Sequence, residues 1–482
     1  MSVKKKNHDI TFIIFIFVLV IALFVSSVIT FIKDSNDTNV DYQNPTEPPL
    51  DDVLKEDIIN YQMPRKANLS LSPNINWENS IGGSGVDEIK DVVILDNMYV
   101  FGETDSTDYD FNSTGGKDLF LAVLSQEGEV LSSTTFGTEK EDTFLFVKPC
   151  YGESGSNFLV FAKSEDKNLL TVYSVPLDKE QEITCNNFEI SGEFEVLSTY
   201  GAGNKVLLLA NVLEKDVQRY YLYYFDGNGQ ILKQYKSASN KKAVAFLYNG
   251  IKSIVLVENI SQNSTLGIDE ISEKGQTFDC VKNNYQDKER IPISFFPDKF
   301  GYVLVYKTVE DGEVSHGLMR LSHKLSVDFD HKLAVSNYDH VYVFADEGVE
   351  EIKGYHVFAT KYTNLGYKTY YENVNLNGTL SDYSAEFLPN VKVLAANNKE
   401  SGTIILGEVI TGAKSKIYLA AMSKNATLTE SYSFGGTGND TYQRHFVLDN
   451  GKLVIFGNTT SSVGDISLYF GKTDGFIMQF EN

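Results

Sequence analysis

The chain predicts an all-β fold, a single β-propeller of about eight four-stranded blades, on three observations. A strand of three apolar residues, mostly followed by a small one, recurs as YVFG at 99–102, LVFA at 159–162, LLLA at 207–210 and VLVE at 255–258, then as VLVY at 303–306, HVFA at 356–359, IILG at 404–407 and VIFG at 454–457. Measured at the third residue, the copies lie 60, 48, 48, 48, 53, 48 and 50 residues apart. A period of roughly 50 residues means one supersecondary unit stacked many times. Around each copy lies the same order of short runs rich in β-branched and aromatic residues, separated by Gly, Asn and Asp. Finally, the last unit is one strand short, and an unattached strand precedes the first.

Taken in chain order, residues 10–32 come first: 23 residues without a charge, long enough as a helix to cover ~30 Å of bilayer. A cleaved signal has a shorter apolar stretch and a small-residue cleavage site, so the run predicts a transmembrane anchor. Lys4, Lys5 and Lys6 precede it, and Asp34 and Asp37 follow after a single Lys33. The positive-inside rule therefore keeps residues 1–9 in the cytoplasm and exports the remainder. Residues 33–73 contain Pro45, Pro48, Pro49 and Pro64 with few apolar side chains, a composition that predicts a flexible stalk.

The propeller is expected over 74–482. Its first unit reads as strands at 88–95, 98–104, 118–125 and 130–137, and its third as strands at 194–200, 205–212, 220–226 and 231–237; four antiparallel strands make a blade. The dense apolar run of the second strand fits burial on both faces, and its Gly or Ala is expected to let neighbouring blades approach. In the last unit, strands at 441–448, 452–459 and 474–481 are followed by the end of the sequence. NINWENSIGGSGVDE at 74–88 aligns with ATLTESYSFGGTGNDT at 426–441, where TESYSF is a fourth strand. Residues 75–81 should thus complete the final blade and remove its exposed edge. Seven blades is the alternative, if the divergent region 335–390 is an insertion.

The stretch 81–137, with GG near its start, GETDS after the second strand and KDLF opening the third, resembles the bacterial SBBP (seven-bladed beta-propeller) repeats. So does 434–480, with FGGTGND, FGNTTSS and TDGFIMQF. The six middle units keep the strands and lose the glycines and aspartates. The resemblance implies a bacterial propeller exported to the envelope, and it brings no chemistry onto particular residues.

Composition narrows the function further. The chain carries a formal charge of −23, and without residues 1–33 it has 38 basic against 64 acidic residues, or −26; such a surface repels phosphate backbones and excludes nucleic acid as a partner. Cys150, Cys185 and Cys280 have no metal-ligand spacing; Cys150 and Cys185 could pair if their strands meet. Asp105, Asp108, Asp110 and Asn112 present oxygens that could hold calcium, but they lack the Gly and closing Glu of an EF-hand loop, so a solvated acidic loop is expected. Asp87, Asp142 and Asp440, with their glycines, are expected to shape blade-to-blade turns. His316, His323, His331, His340 and His356 lack zinc spacing and are expected to be scattered over the surface. Asp328 and Asp330 should share one face of a strand, a poor arrangement for glycoside hydrolysis. GESGS at 152–156 is no nucleophile elbow. No phosphate-binding or dinucleotide loop and no repeated tryptophan signature occurs, so no cofactor, metal site or catalytic residue is expected. Aromatic runs at 220–226 and 368–374 are expected to pack within blades.

Two functions remain. The favoured one is a membrane-anchored binding or scaffold module whose loop face holds a protein or a cell-envelope glycan. The alternative is an extracytoplasmic carbohydrate-active enzyme with its site at the mouth of the central channel.

Overall fold

In the computed structural model, the described residues are 74–482, apart from 114–115, 153–154, 166–168, 179–180, 261–264, 275–276, 285–289, 335, 348–351, 364–365, 399–401, 413, 449, 466–469 and 481–482. The tail 1–9, the apolar run 10–32 and the stalk 33–73 lie outside them.

Eight antiparallel sheets of four strands each follow one another along the chain. Blades 1 to 7 span 87–136, 142–189, 193–236, 241–284, 291–332, 340–389 and 391–434. Blade 8 takes three strands from 440–480 and its fourth from Ile75–Ile81, which pairs with Asp474–Phe480. The region 335–390 therefore holds a full blade, and the count is eight rather than seven. Among the described residues no α-helix occurs.

Sequence dictates how the blades stack. In each second strand the apolar run is buried on both faces, as in Leu453–Thr459, where all seven residues are buried. The side chains of that run enter two different seams. Phe101 joins a cluster between blades 1 and 2, while its neighbour Val100 joins one between blades 8 and 1. The hydrophobic core is thus divided among the seams between blades, such as 2/3, 3/4 and 6/7. First strands contact the first strands of neighbouring blades, as Asp87–Ile94 does with Asp142–Gly152 and Asp440–Val447, so they surround the axis.

A β-bulge interrupts the first strand at equivalent places in blades 1, 2, 3, 4, 5, 7 and 8, at Lys90, Leu145, Leu197, Val244, Ile293, Leu394 and Gln443. A bulge frees a backbone N–H that the ladder would have used. The preceding blade satisfies it. Glu103 Oε1 accepts the Phe144 N–H at 2.7 Å, Asn211 Oδ1 the Ala243 N–H at 2.8 Å, Glu408 Oε1 the Tyr442 N–H at 3.0 Å and Asn458 Oδ1 the Ile89 N–H at 2.7 Å. Each acceptor directly follows the small residue of the second strand.

That small residue has a different cause from the one expected. A Cβ on Gly102 would stand 2.1 Å from the Glu88 carbonyl oxygen and 2.5 Å from the Phe120 ring, both in the same blade. Gly457 would likewise meet Thr441 O and Phe476. The crowding lies within the blade, where the first strand bulges, and not between blades.

The closing strand is built like the other outer strands. It carries a bulge at Asn76, as the outer strands of blades 1, 3, 5, 6 and 7 do at Leu131, Leu232, Asp328, Ser381 and Thr429. Its Trp77 ring covers Gly128, whose φ of +89° and 2.5 Å clearance leave no room for a side chain. Asn79 Nδ2 donates to Gly128 O at 3.0 Å.

Candidate functional site

The glycine and aspartate signature forms three related knots between blades. In the ring-closing seam 8/1, fully buried Asp87 accepts the Gly83 N–H at 2.7 Å, the Ser106 hydroxyl at 2.8 Å and the Thr104 hydroxyl. Asp440 does the same in seam 7/8 with the Gly436 N–H, Thr459 and Ser461. In seam 1/2, Asp142 accepts the Thr138 N–H at 2.6 Å. The acidic loop after the second strand of blade 1 points into the first knot. Asp105 accepts the Val86 N–H at 2.6 Å, Asp108 the Ser84 N–H at 2.8 Å and Asp110 the Gly82 N–H at 3.1 Å. These carboxylates bind backbone donors of this chain, and among the described residues no group of three or more acidic, His or Cys side chains is arranged to hold a metal.

Seam 8/1 also concentrates buried negative charge. Asp474 is fully buried, its Oδ1 has no hydrogen-bond partner, and Asp87 and Asp110 lie close by. Burial pushes its carboxyl up to about 6, against the lowering by the Phe470 N–H and with a further rise from Asp87. Burial likewise raises Asp87, Asp110 and Asp142.

A second polar group lines the axis. Arg444 Nε of blade 8 stands 2.6 Å from Asp91 Oδ1 of blade 1, and Lys148 of blade 2 lies within electrostatic reach of both. All three residues belong to first strands. First strands surround the axis, so this group lies along the inner ring of the propeller. It continues through blades 7 and 6. Tyr442 and Asn397 hold the two ring nitrogens of His445 at 2.6 and 2.5 Å, and Tyr342 OH accepts the Ala396 N–H at 3.3 Å. Burial lowers the His445 imidazole to about 4, with Arg444 adding to the effect, so the ring is neutral at pH 7. Lys148 is pushed below the usual amine range by burial and then by Arg444, while Asp91 opposes.

Exposed apolar side chains lie at both ends of the propeller. Loops joining second to third strands, and the links between blades, share one end because strands alternate in direction. Tyr109, 73% exposed, packs there against exposed Phe470 across the closure, with ring centroids 5.2 Å apart and the planes tilted by 31°. Val463, Ile260, Val309 and Tyr362 lie at the same end, while Tyr151, Ile251, Leu131, Leu232, Val327 and Leu380 lie at the other. Tyr109 has a φ of +54°, a left-handed backbone that is costly for a bulky residue.

The remaining sequence candidates are dispersed. Cys150 is buried and Cys185 exposed, both are free, and two strands separate them within blade 2. The five histidines do not assemble, and the expected surface placement fails for His316 and His356, which are buried. His356 Nδ1 lies 2.7 Å from Tyr371 OH inside blade 6. Asp328 and Asp330 sit on the outermost strand of blade 5, and the bulge at Asp328 breaks the expected alternation. Asp330 is held by Arg290 at 2.6 Å, and Asp328 faces Arg320 at 3.5 Å. Sequence reasoning missed His445, Arg444, Asp91 and Lys148 because no short motif links them to their partners: Asn397 lies in the preceding blade from His445, and Arg444 meets Asp91 only through ring closure.

The fold defines the class: an eight-bladed β-propeller. Neither a protein-family model nor a curated protein matches the sequence. Similar solved structures match at low identity. Sqt1 from Chaetomium thermophilum is 10% identical with a TM-score of 0.43, covering 84% of this chain and 100% of that one. The WD40 domain of SCAP from fission yeast is 9% identical at 0.44, covering 86% and 98%. The dihydro-heme d1 dehydrogenase NirN, solved in complex with DHE, is 10% identical at 0.47, covering 86% and 79%.

Proposed function

We propose that this chain is a membrane-anchored, extracytoplasmic propeller related to the SBBP-type repeats, held by residues 10–32 on a stalk over 33–73, and that it binds a protein or cell-envelope glycan through one loop face. The observation that carries this reading is the exposed Tyr109–Phe470 pair, two aromatic side chains from blades 1 and 8 in contact on one loop face. Exposed aromatic anchors are the side chains that binding surfaces use. The channel wall supports binding over acid–base catalysis, because both His445 nitrogens are engaged and Asp91 is ion-paired with Arg444.

The test uses the full chain in detergent micelles as bait against solubilised envelopes and wall glycan, in parallel with a Tyr109→Ala/Phe470→Ala variant. A partner retained by the parent and lost by the folded variant supports the reading. Identical capture by both removes the loop face from consideration. Protease added to intact cells checks the topology: digestion of the propeller region is expected, and protection would refute export.

A further inference from the structure

We propose that the Tyr109–Phe470 pair seats a cationic side chain, arginine or lysine, of a basic polypeptide segment. The inference rests on the loop-face reading and narrows its occupant from a protein or glycan to a protein of stated charge. It begins with the way the two rings are held. Tyr109 projects between two anchored carboxylates of its own loop, since Asp108 accepts the Ser84 N–H at 2.8 Å and Asp110 the Gly82 N–H at 3.1 Å. Asp105 accepts the Val86 N–H at 2.6 Å, so the loop is strapped along the link 82–86 that leads into blade 1. Across the closure, Phe470 donates its backbone N–H to Oδ2 of buried Asp474. Both rings therefore stand on fixed backbone while their outer faces meet solvent, and a docking side chain need not order them first.

Charge then selects among the partners that an exposed aromatic pair fits. Asp105 and Asp108, both exposed, flank Tyr109, and exposed Asp465 belongs to the loop that carries Phe470. Glu139 and Glu141 are exposed on the next link between blades, where the Glu141 Cγ lies 3.3 Å from the place a Cβ would take on Gly116 of the Tyr109 loop. The same segments expose Lys140 and Lys472, while Lys117 is paired with Glu103 at 2.7 Å. Carboxylates thus outnumber free ammonium groups around the rings. An aromatic face attracts a cation through its quadrupole, and the surrounding carboxylates add a field of the same sign. An anionic glycan would be repelled by both, and a neutral one would gain nothing from the carboxylates.

The experiment is a fluorescence-anisotropy titration of the full chain in detergent micelles with short labelled peptides in which glycine alternates with arginine, with serine or with glutamate. Saturable binding of the arginine peptide alone is expected. It should weaken about tenfold or more in Tyr109→Ala/Phe470→Ala, which removes the aromatic seat. Asp105→Asn/Asp108→Asn should weaken it about threefold or more through charge alone, because the amide oxygens still accept the Val86 and Ser84 N–H groups. Glu127→Gln, on an exposed hairpin at the opposite end, should leave it unchanged, which separates the seat from general attraction to an acidic protein. Circular dichroism checks that each variant is folded. Absent binding of the arginine peptide, equal binding of the serine peptide, or an affinity unchanged in either double variant overturns the proposal. The two readings fail separately in the envelope capture. A partner that needs Tyr109 and Phe470 but survives Asp105→Asn/Asp108→Asn keeps the loop face and refutes the cationic occupant, whereas capture indifferent to the aromatic pair refutes both.

Discussion

Seams 8/1 and 3/4 join blades of the same plan by opposite chemistries. At the ring closure, Asp474 opens the third strand of blade 8 and lies opposite Gly82, while Asp87 opens the next blade's first strand. Two carboxylates meet there around glycine backbone. At seam 3/4 the corresponding places hold Tyr220 and Lys241, and both bind Asp269 inside blade 4: the Tyr220 hydroxyl at 2.6 Å and Lys241 Nζ at 2.5 and 2.6 Å. Seam 7/8 is intermediate, with Lys416 opposite Gly435 and beside Asp440. The seam position needs a group to satisfy the backbone and hydroxyl donors where blades meet, but not one particular residue. Blades that lost the GG and Asp signature kept the fold because other side chains took over that task.

Lys241→Met should separate the two chemistries most sharply. It strands Asp269, which is buried and would keep only the Tyr220 hydroxyl, and breaking a buried pair by removing one partner costs about 3–5 kcal/mol. Denaturant unfolding measures it; a loss below about 1 kcal/mol would show that the pair is already offset by its own desolvation. Asp87→Ala comes next. It leaves the Gly83 N–H and the Thr104 and Ser106 hydroxyls without their acceptor, for about 2 kcal/mol once the carboxylate's own burial is discounted.

The closure should also respond to pH in a way seam 3/4 does not. The folded carboxyl of Asp474 titrates near 6, above its ordinary range, so the native state holds the proton more tightly than the unfolded chain. Stability therefore falls as pH rises from about 4 to about 6, by on the order of 2 kcal/mol. Asp87 and Asp110 push in the same direction. Asp474→Asn should flatten that slope in urea midpoints taken at pH 4.5 and 7.5, and an unchanged slope would assign it elsewhere. Gly102→Ala is expected to cost about 1–3 kcal/mol in denaturant unfolding, because its methyl group would press on the Glu88 carbonyl and the Phe120 ring, and the strands must shift toward the arrangement that holds Ala162 and Ala210.

Much of the architecture was legible because it repeats. The apolar second strands set the blade count, and the surplus strand at 75–81 matched the one missing after 480. Bulges were not legible, since a single inserted residue leaves no compositional trace, and the alternation expected for Asp328 and Asp330 failed for that reason. The Glu or Asn after the small residue of a second strand was visible as a recurrence, but its partner lies in the next blade, about 30–40 residues further on for Glu103, Asn211 and Glu408. For Asn458 the partner is Ile89, reached only through closure. The ion pair of Arg444 with Asp91 was hidden for the same reason, because the two residues meet only in a closed ring.

The closing strand also has a mechanical consequence. Ile75 enters at the end of the propeller opposite the Tyr109 loops, and the strand runs antiparallel to Asp474–Phe480. Tension between a ligand on the loop face and the chain before Asn74 would run along that strand. It would shear the Ile75–Ile81 ladder as a whole instead of peeling it bond by bond, so the clasp that completes the ring resists pull in its stronger direction.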